Sequence, residues 1–316
     1  MAVYKELSTE EMVDLLTDYD LGMLESFAGI ASGVENTNYW LQTGTGRYIL
    51  TIFEKRVNQD DLPFFLDLKK HLAGKGLPVA QPVPAGDGTV LRTIRARQGA
   101  IFTFLEGREA DAITSRDCAE VGQILGKLHI AGLDFPRLRE NDFSVASFPE
   151  ILATCVPDLE FILPGLRQEL DCEIQWLAQS WPTSLPVGTI HADLFPDNLL
   201  FQDGKVGGVI DFYFACRDFL AYDLAVCISA WCFDANNQFC LSHARAMVEA
   251  YMPERSLEEG EKSAMPILLR GCCLRFTLTR LTDFFATAAA TGKAKDPTEF
   301  HQRLRFFREN PALDIF

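Results

Sequence analysis

The sequence predicts an α+β protein with a small sheet-rich lobe followed by a larger, mainly helical one. Three observations carry this prediction. In the first third of the chain, short apolar or alternating blocks are cut by Gly29, Gly33, Gly44 and Gly46, the pattern of strands and tight turns. From Thr114 onward the apolar spacing turns helical. A single stretch, 189–212, breaks the helices with β-like runs around a cluster of His, Asp and Asn.

Taken in order, 24–30, 34–42 and 48–53 read as three strands. An amphipathic helix over 60–73 follows, with Leu62, Phe65, Leu66, Leu68 and Leu72 on one side and a stop signal at Gly74-Lys75-Gly76. Beyond a Pro-rich connector, 90–94 and 100–105 complete a five-stranded, mostly antiparallel sheet. Helices are expected over 118–131, 148–163, 166–179, 219–234, 239–251, 257–288 and 297–309, with short β runs at 199–201 and 206–210. The expected division is a nucleotide-binding lobe, 1–106, and a helical lobe, 107–316, joined by a hinge at Glu106-Gly107.

Composition limits the function classes. The 316 residues are 48% hydrophobic, too apolar for disorder. Acidic residues outnumber basic ones 44 to 29, and the net charge of −15 argues against nucleic acid and anionic membranes as partners. Nine cysteines, an odd count without metal-ligand or disulfide spacing, suit a reducing compartment. Residues 1–11 lack the apolar core of a secretory leader, and the most apolar stretch, 224–233, is far short of the ~20 residues that cross a bilayer. A cytoplasmic protein acting on a small molecule is expected.

The chemistry-bearing loop reads H-x-D-x-x-x-x-N from His191 through Asp193 to Asn198, then a strand, then Ile210-Asp211-Phe212. Phosphoryl transfer needs this set. One carboxylate accepts the hydroxyl proton, and a second carboxylate and an amide oxygen hold Mg²⁺ against nucleotide phosphates, because a hard cation prefers oxygen. Asp193 is the expected base, and Asn198 and Asp211 are the expected metal ligands, brought together by the returning hairpin. Turn-capping alone would not require the whole spacing.

The loop resembles the Brenner-type motif of the aminoglycoside-phosphotransferase/choline-kinase superfamily, and the resemblance covers essentially the whole chain. It implies a protein-kinase-like bilobal fold, ATP with Mg²⁺, and an orienting role for His191. The run 29–39 stands where kinases place their phosphate loop, so Gly29, Ser32, Gly33 and Asn36 are expected at the nucleotide, with Thr51 on strand three and Glu106 at the hinge. Within the superfamily, 33–39, 223–234 and 270–283 are similar to the homoserine kinases of the aminoglycoside-phosphotransferase-like type. That resemblance implies phosphorylation of the L-homoserine hydroxyl on the way to threonine. Such a zwitterion needs a cation for its carboxylate and acids for its ammonium; Arg275, Arg280 and Asp283 are the candidates, with Tyr213 as a wall.

Two departures stand out. Thr51 occupies the strand-three position of the kinase lysine; either Lys55 or Arg56 reaches back, or backbone donors and Mg²⁺ hold the phosphates. The helix over 60–73 has no Glu, Asp67 being the nearest acid. Six residues separate Asp211 from Asp218, too few for an activation segment, so a protein substrate is not expected. Choline, ethanolamine or an aminoglycoside as acceptor, and a nucleotide-binding scaffold without activity, are the competing readings.

Overall fold

The computed structural model describes residues 6–30, 36–54, 58–155, 159–288 and 295–316. The chain forms two compact units. One comprises Met1–Arg108, Leu200–Gln202 and Gly207–Tyr213; the other comprises Glu109–Leu199, Asp203–Val206 and Phe214–Phe316.

The first unit holds strands β1 (Leu24–Ile30), β2 (Thr37–Thr43), β3 (Gly46–Ile52), β4 (Arg92–Ile94) and β5 (Arg97–Thr103). They form one antiparallel sheet of five strands, as the sequence pattern predicts, in the order β1-β2-β3-β5-β4. Period-2 alternation sends Leu50, Ile52 and Ile101 to one face, where they pack with Met12 and Leu16. Met12 and Leu16 belong to helix α1 (Thr9–Leu16), which opens on a capping box made by Ser8 and Glu11 and was not anticipated. Helix α2 (Leu62–Gly74) buries Leu62, Phe65, Leu66, Leu68 and Leu72, each contributing roughly 1.5–3 kcal/mol of apolar burial.

The second unit contains α3 (Ser115–Gly132), α4 (Phe148–Thr154), α5 (Leu166–Ser180), α6 (Leu220–Trp231), α7 (Leu241–Tyr251), α8 (Glu259–Ala288) and α9 (Thr298–Glu309). The expected long helix over 148–163 is replaced by α4, which ends at Thr154. Two strands, β6 (Val187–Ile190) and β9 (Cys216–Phe219), pair antiparallel, although the sequence pattern predicts helix from 219. Helices α3 and α7 approach closely because α3 offers Gly122 and Gly126 on one face. A side-chain carbon at Gly122 would lie 2.0 Å from the Met247 carbonyl. One turn beyond Gly126, this approach brings His129 against Tyr251.

Strands β7 (Leu199–Gln202) and β8 (Lys205–Val209) form a two-stranded sheet. Leu200–Gln202 and Gly207–Tyr213 of this hairpin and its continuation belong to the first unit. Phe201 and Arg108 exchange backbone hydrogen bonds of 2.8 and 3.1 Å, and the Val209 N–H donates to the Pro78 carbonyl at 2.8 Å. These bonds join the ends of the hairpin to the first unit. Among the described residues no helix is long and apolar enough to cross a membrane.

Candidate active site

The loop 191–198 leaves β6 after Ile190 and enters β7 at Leu199, both buried. His191, Ala192, Leu194 and Asn198 are buried, Asp193 is half-buried and Asp197 is exposed. Ala192 holds the left-handed conformation with φ +63°, an arrangement that a non-glycine residue keeps only when its surroundings over-determine it.

Those surroundings can be traced group by group. The buried Asp223, on α6, accepts the His191 N–H at Oδ2 and the Ala192 N–H at Oδ1, both at 2.8 Å. Arg275, on α8, donates to the Ala192 carbonyl at 2.5 Å. Asn198 donates its side-chain amide to the Asp193 carbonyl at 2.8 Å and to Asp193 Oδ2 at 3.2 Å. The Trp231 indole donates to the Leu194 carbonyl at 2.8 Å, and the Asp193 N–H donates to His191 Nδ1 at 3.3 Å. The carboxylate of Asp193 is thus held by its own loop, and the loop by side chains from two helices.

Asp223 is itself supported. His129 Nε2 lies 3.1 Å from Asp223 Oδ2, and His129 Nδ1 lies 2.8 Å from Tyr251 Oη. Arg255 donates to that hydroxyl at 2.9 Å and to Glu261 at 2.8 Å. Burial alone would raise the Asp223 pKa, but His129 and the loop N–H groups outweigh it and hold the carboxyl below its ordinary value. For Arg275, burial works against the charge, while Tyr222 and Asp193 favour it and keep the guanidinium charged.

Of the expected acceptor residues, Arg275, Arg280 and Asp283 stand on α8 and Tyr213 follows β8. Arg275 is 2% exposed, ringed by Phe143, Phe214 and Phe276, and its guanidinium donates to the loop 191–198 at the Ala192 carbonyl. Arg280 pairs with Glu299 of α9 and lies 4.4 Å over the Phe300 ring. Asp283 is half-buried one turn further along α8. Tyr213, expected as a pocket wall, packs edge-on against Phe53 and Phe65 within the first unit. The reason is the hairpin register, which carries 210–213 into that unit.

The nucleotide candidates of the first unit are only partly described. Ser32, Gly33, Lys55 and Arg56 lie outside the described residues. Gly29 sits within β1 opposite Tyr39 and has no left-handed φ, so an unusual dihedral is not its role. The Asn36 side chain accepts the Glu54 N–H at 3.2 Å. The Thr51 hydroxyl is 2.8 Å from Asn38 Oδ1, to which it donates, and Glu106 pairs with Arg47. Asp211 follows β8 with φ +62°. Lys69 of α2 is 5% exposed, with its ammonium pushed down to about 8 by burial, against which the nearby Asp211 carboxylate acts.

The model of a phosphotransferase enzyme family (APH) matches residues 26–255. The chain is 48% identical over 307 residues to a homoserine kinase of Nitrobacter hamburgensis, covering 97% of this chain and 94% of that protein. The chain belongs to the phosphotransferase enzyme family. Two solved structures are alike in fold. A microcompartment-associated aminopropanol kinase gives a TM-score of 0.73 at 19% identity, covering 98% of this chain and all of that one. An amicoumacin kinase in complex with AMP-PNP and Ca²⁺ gives 0.72 at 17%, covering 96% and 93%. Like these kinases, this phosphotransferase joins an antiparallel-sheet region to a helical one.

In this phosphotransferase, the side chains proposed for Mg²⁺ are a carboxylate (Asp211) and an amide (Asn198). That donor chemistry suits an ion that takes one or two protein oxygens and completes its shell with phosphate and water. Three side chains stand outside the His-Asp-Asn motif. Asp223 was legible as the lone acid in the apolar run of α6, and Trp231 as an indole needing an acceptor. Lys69 was legible as a lysine on the apolar face of α2.

Proposed function

We propose that this phosphotransferase transfers the terminal phosphoryl group of ATP to the side-chain hydroxyl of L-homoserine, giving O-phospho-L-homoserine on the way to threonine, with Asp193 as base. Near-full-length identity to a homoserine kinase supports the substrate. One geometric observation supports the chemistry: Asp193 is half-buried on a loop whose backbone is held by Asp223, Arg275, Asn198 and Trp231. A carboxylate so fixed can orient the acceptor hydroxyl and take its proton without reorganising.

Asn198 holds Asp193 in place through its amide nitrogen and, with Asp211, is assigned the metal. Mg²⁺ held there neutralises charge on the nucleotide phosphates. His191 orients the loop, since its ring nitrogen accepts the Asp193 N–H. The first unit is read as the nucleotide-binding lobe, with Gly29, Ser32, Gly33, Asn36, Thr51 and Glu106 around the nucleotide. Arg280 is assigned the substrate carboxylate, with Asp283 for the ammonium; Arg275 is assigned to the loop it touches. The setting is cytoplasmic.

The test is ADP release with Mg·ATP and a panel of L-homoserine, L-serine, choline, ethanolamine, a sugar and an aminoglycoside. Selective turnover of L-homoserine is expected. Selective turnover of another acceptor would overturn the substrate and keep the chemistry.

A further inference from the structure

Strand β3 provides no cation where a kinase of this fold would use one. Thr51 is buried there and its hydroxyl is engaged by Asn38. The polyphosphate of a nucleotide still needs a positive partner besides its metal.

The register of the sheet shows where one stands. Ile49 pairs with Phe102 and Thr51 with Ala100, so these four share one face of the sheet, opposite the face that packs on α1. The ammonium of Lys69 lies over that face, 4.3 Å from the centre of the Phe102 ring and 4.7 Å from that of Tyr213. It donates to the Tyr213 hydroxyl at 3.3 Å. Tyr213 is two residues beyond Asp211, whose carboxylate acts electrostatically on Lys69. The neighbours of Lys69 along α2 are Phe65, Leu66, Leu68 and Leu72, all buried. Packing does not call for a charge at that position. A hydrocarbon side chain would fill it without the several kcal/mol that desolvating an ammonium costs.

We propose that Lys69 is the phosphate-binding cation of the nucleotide site, delivered by helix α2 rather than by strand three. Aromatic rings at 4.3 and 4.7 Å suit this role, because they steady the ammonium and leave it able to meet an anion. The inference rests on the phosphotransferase reading and adds a ligand to its nucleotide site.

Equilibrium binding of Mg·AMP-PNP and of adenosine, measured on the full chain and on Lys69→Met, tests it. The variant is expected to lose about tenfold to a hundredfold in Mg·AMP-PNP affinity, with adenosine affinity and the KM for L-homoserine within about twofold. Equal Mg·AMP-PNP affinity in both proteins, or a parallel loss for adenosine, would overturn the assignment. A wild-type chain that binds no Mg·AMP-PNP would instead overturn the phosphotransferase reading beneath it. Should Lys69→Met not fold, the wild-type chain can be labelled with adenosine diphosphopyridoxal, reduced with borohydride and mapped. Modification of Lys69 supports the proposal; modification of Lys55 or another lysine overturns it.

Discussion

Asp223 and Ala192 are joined by a 2.8 Å hydrogen bond from a backbone N–H in the left-handed region to a fully buried carboxylate. The other oxygen of Asp223 takes the neighbouring His191 N–H at the same distance. A single side chain therefore holds the two successive peptides that lead into the Ala192–Asp193 bond. Removing that acceptor should be costly twice, once in stability and once in turnover.

Asp223→Ala strands two loop N–H groups and His129 in the interior. Loss of one partner from a buried charged network costs about 3–5 kcal/mol, to be read from denaturant melts. Asp223→Asn keeps one acceptor and should fold, with kcat reduced about tenfold or more and the KM for ATP little changed. Unchanged kcat in Asp223→Asn would mean that the loop does not depend on this carboxylate.

Asp193→Asn keeps the shape of the side chain and removes its basicity. Turnover should fall by about 10²–10⁴, while Mg·AMP-PNP binding, followed by calorimetry, persists. Near-normal turnover would take Asp193 out of the mechanism.

The two arginines of α8 should separate kinetically. Arg275→Ala frees the Ala192 carbonyl and should lower kcat at a nearly constant KM for L-homoserine. Arg280→Ala should raise that KM about tenfold or more at a nearly constant kcat. Because Arg280 also pairs with Glu299, a thermal melt of Arg280→Ala separates loss of substrate binding from loosening of α9. The opposite split would exchange the two roles.

Acid should release α9 from α5. Burial tends to raise the Glu169 pKa, but Arg305 and Arg308 outweigh it and His301 adds to their effect, bringing it down to about 2. A carboxyl depressed on folding contributes stability above its ordinary pKa of about 4.5 and loses it as pH falls from there towards about 2. The Arg270–Glu173 pair on the same face of α5, which Arg308 also approaches, is retained in Glu169→Gln. Wild type should therefore destabilise more steeply than Glu169→Gln between about pH 4.5 and 2, measured by thermal melts across that range. Parallel curves would show that Glu169 does not hold α9.

The helical and strand regions were legible because their signals are local. Alternation in 24–30 and 48–53 and the apolar face of α2 follow from backbone period alone, so β1, β3 and α2 stand within a few residues of expectation. The cluster of His191, Asp193 and Asn198 was legible for a similar reason, because these residues lie within eight positions on one loop. The role of α8 was not. Arg275 and Arg280 are equivalent as letters, and nothing local tells which one meets a loop carbonyl and which one meets an acid on α9.

The sequence by itself determined the α+β division and the five strands of the sheet, since each depends on residues close in the chain. Only the tertiary structure decided what holds the loop 191–198. Asp223, Arg275 and Trp231 reach it from 31, 83 and 37 residues away. Whether such side chains meet a given peptide depends on how helices pack, as when Gly122 and Gly126 let α7 approach α3 and seat His129 against Tyr251. Lys69 follows the same rule, since a lysine on an apolar helix face gains meaning only from the rings and the carboxylate that the fold sets beside it.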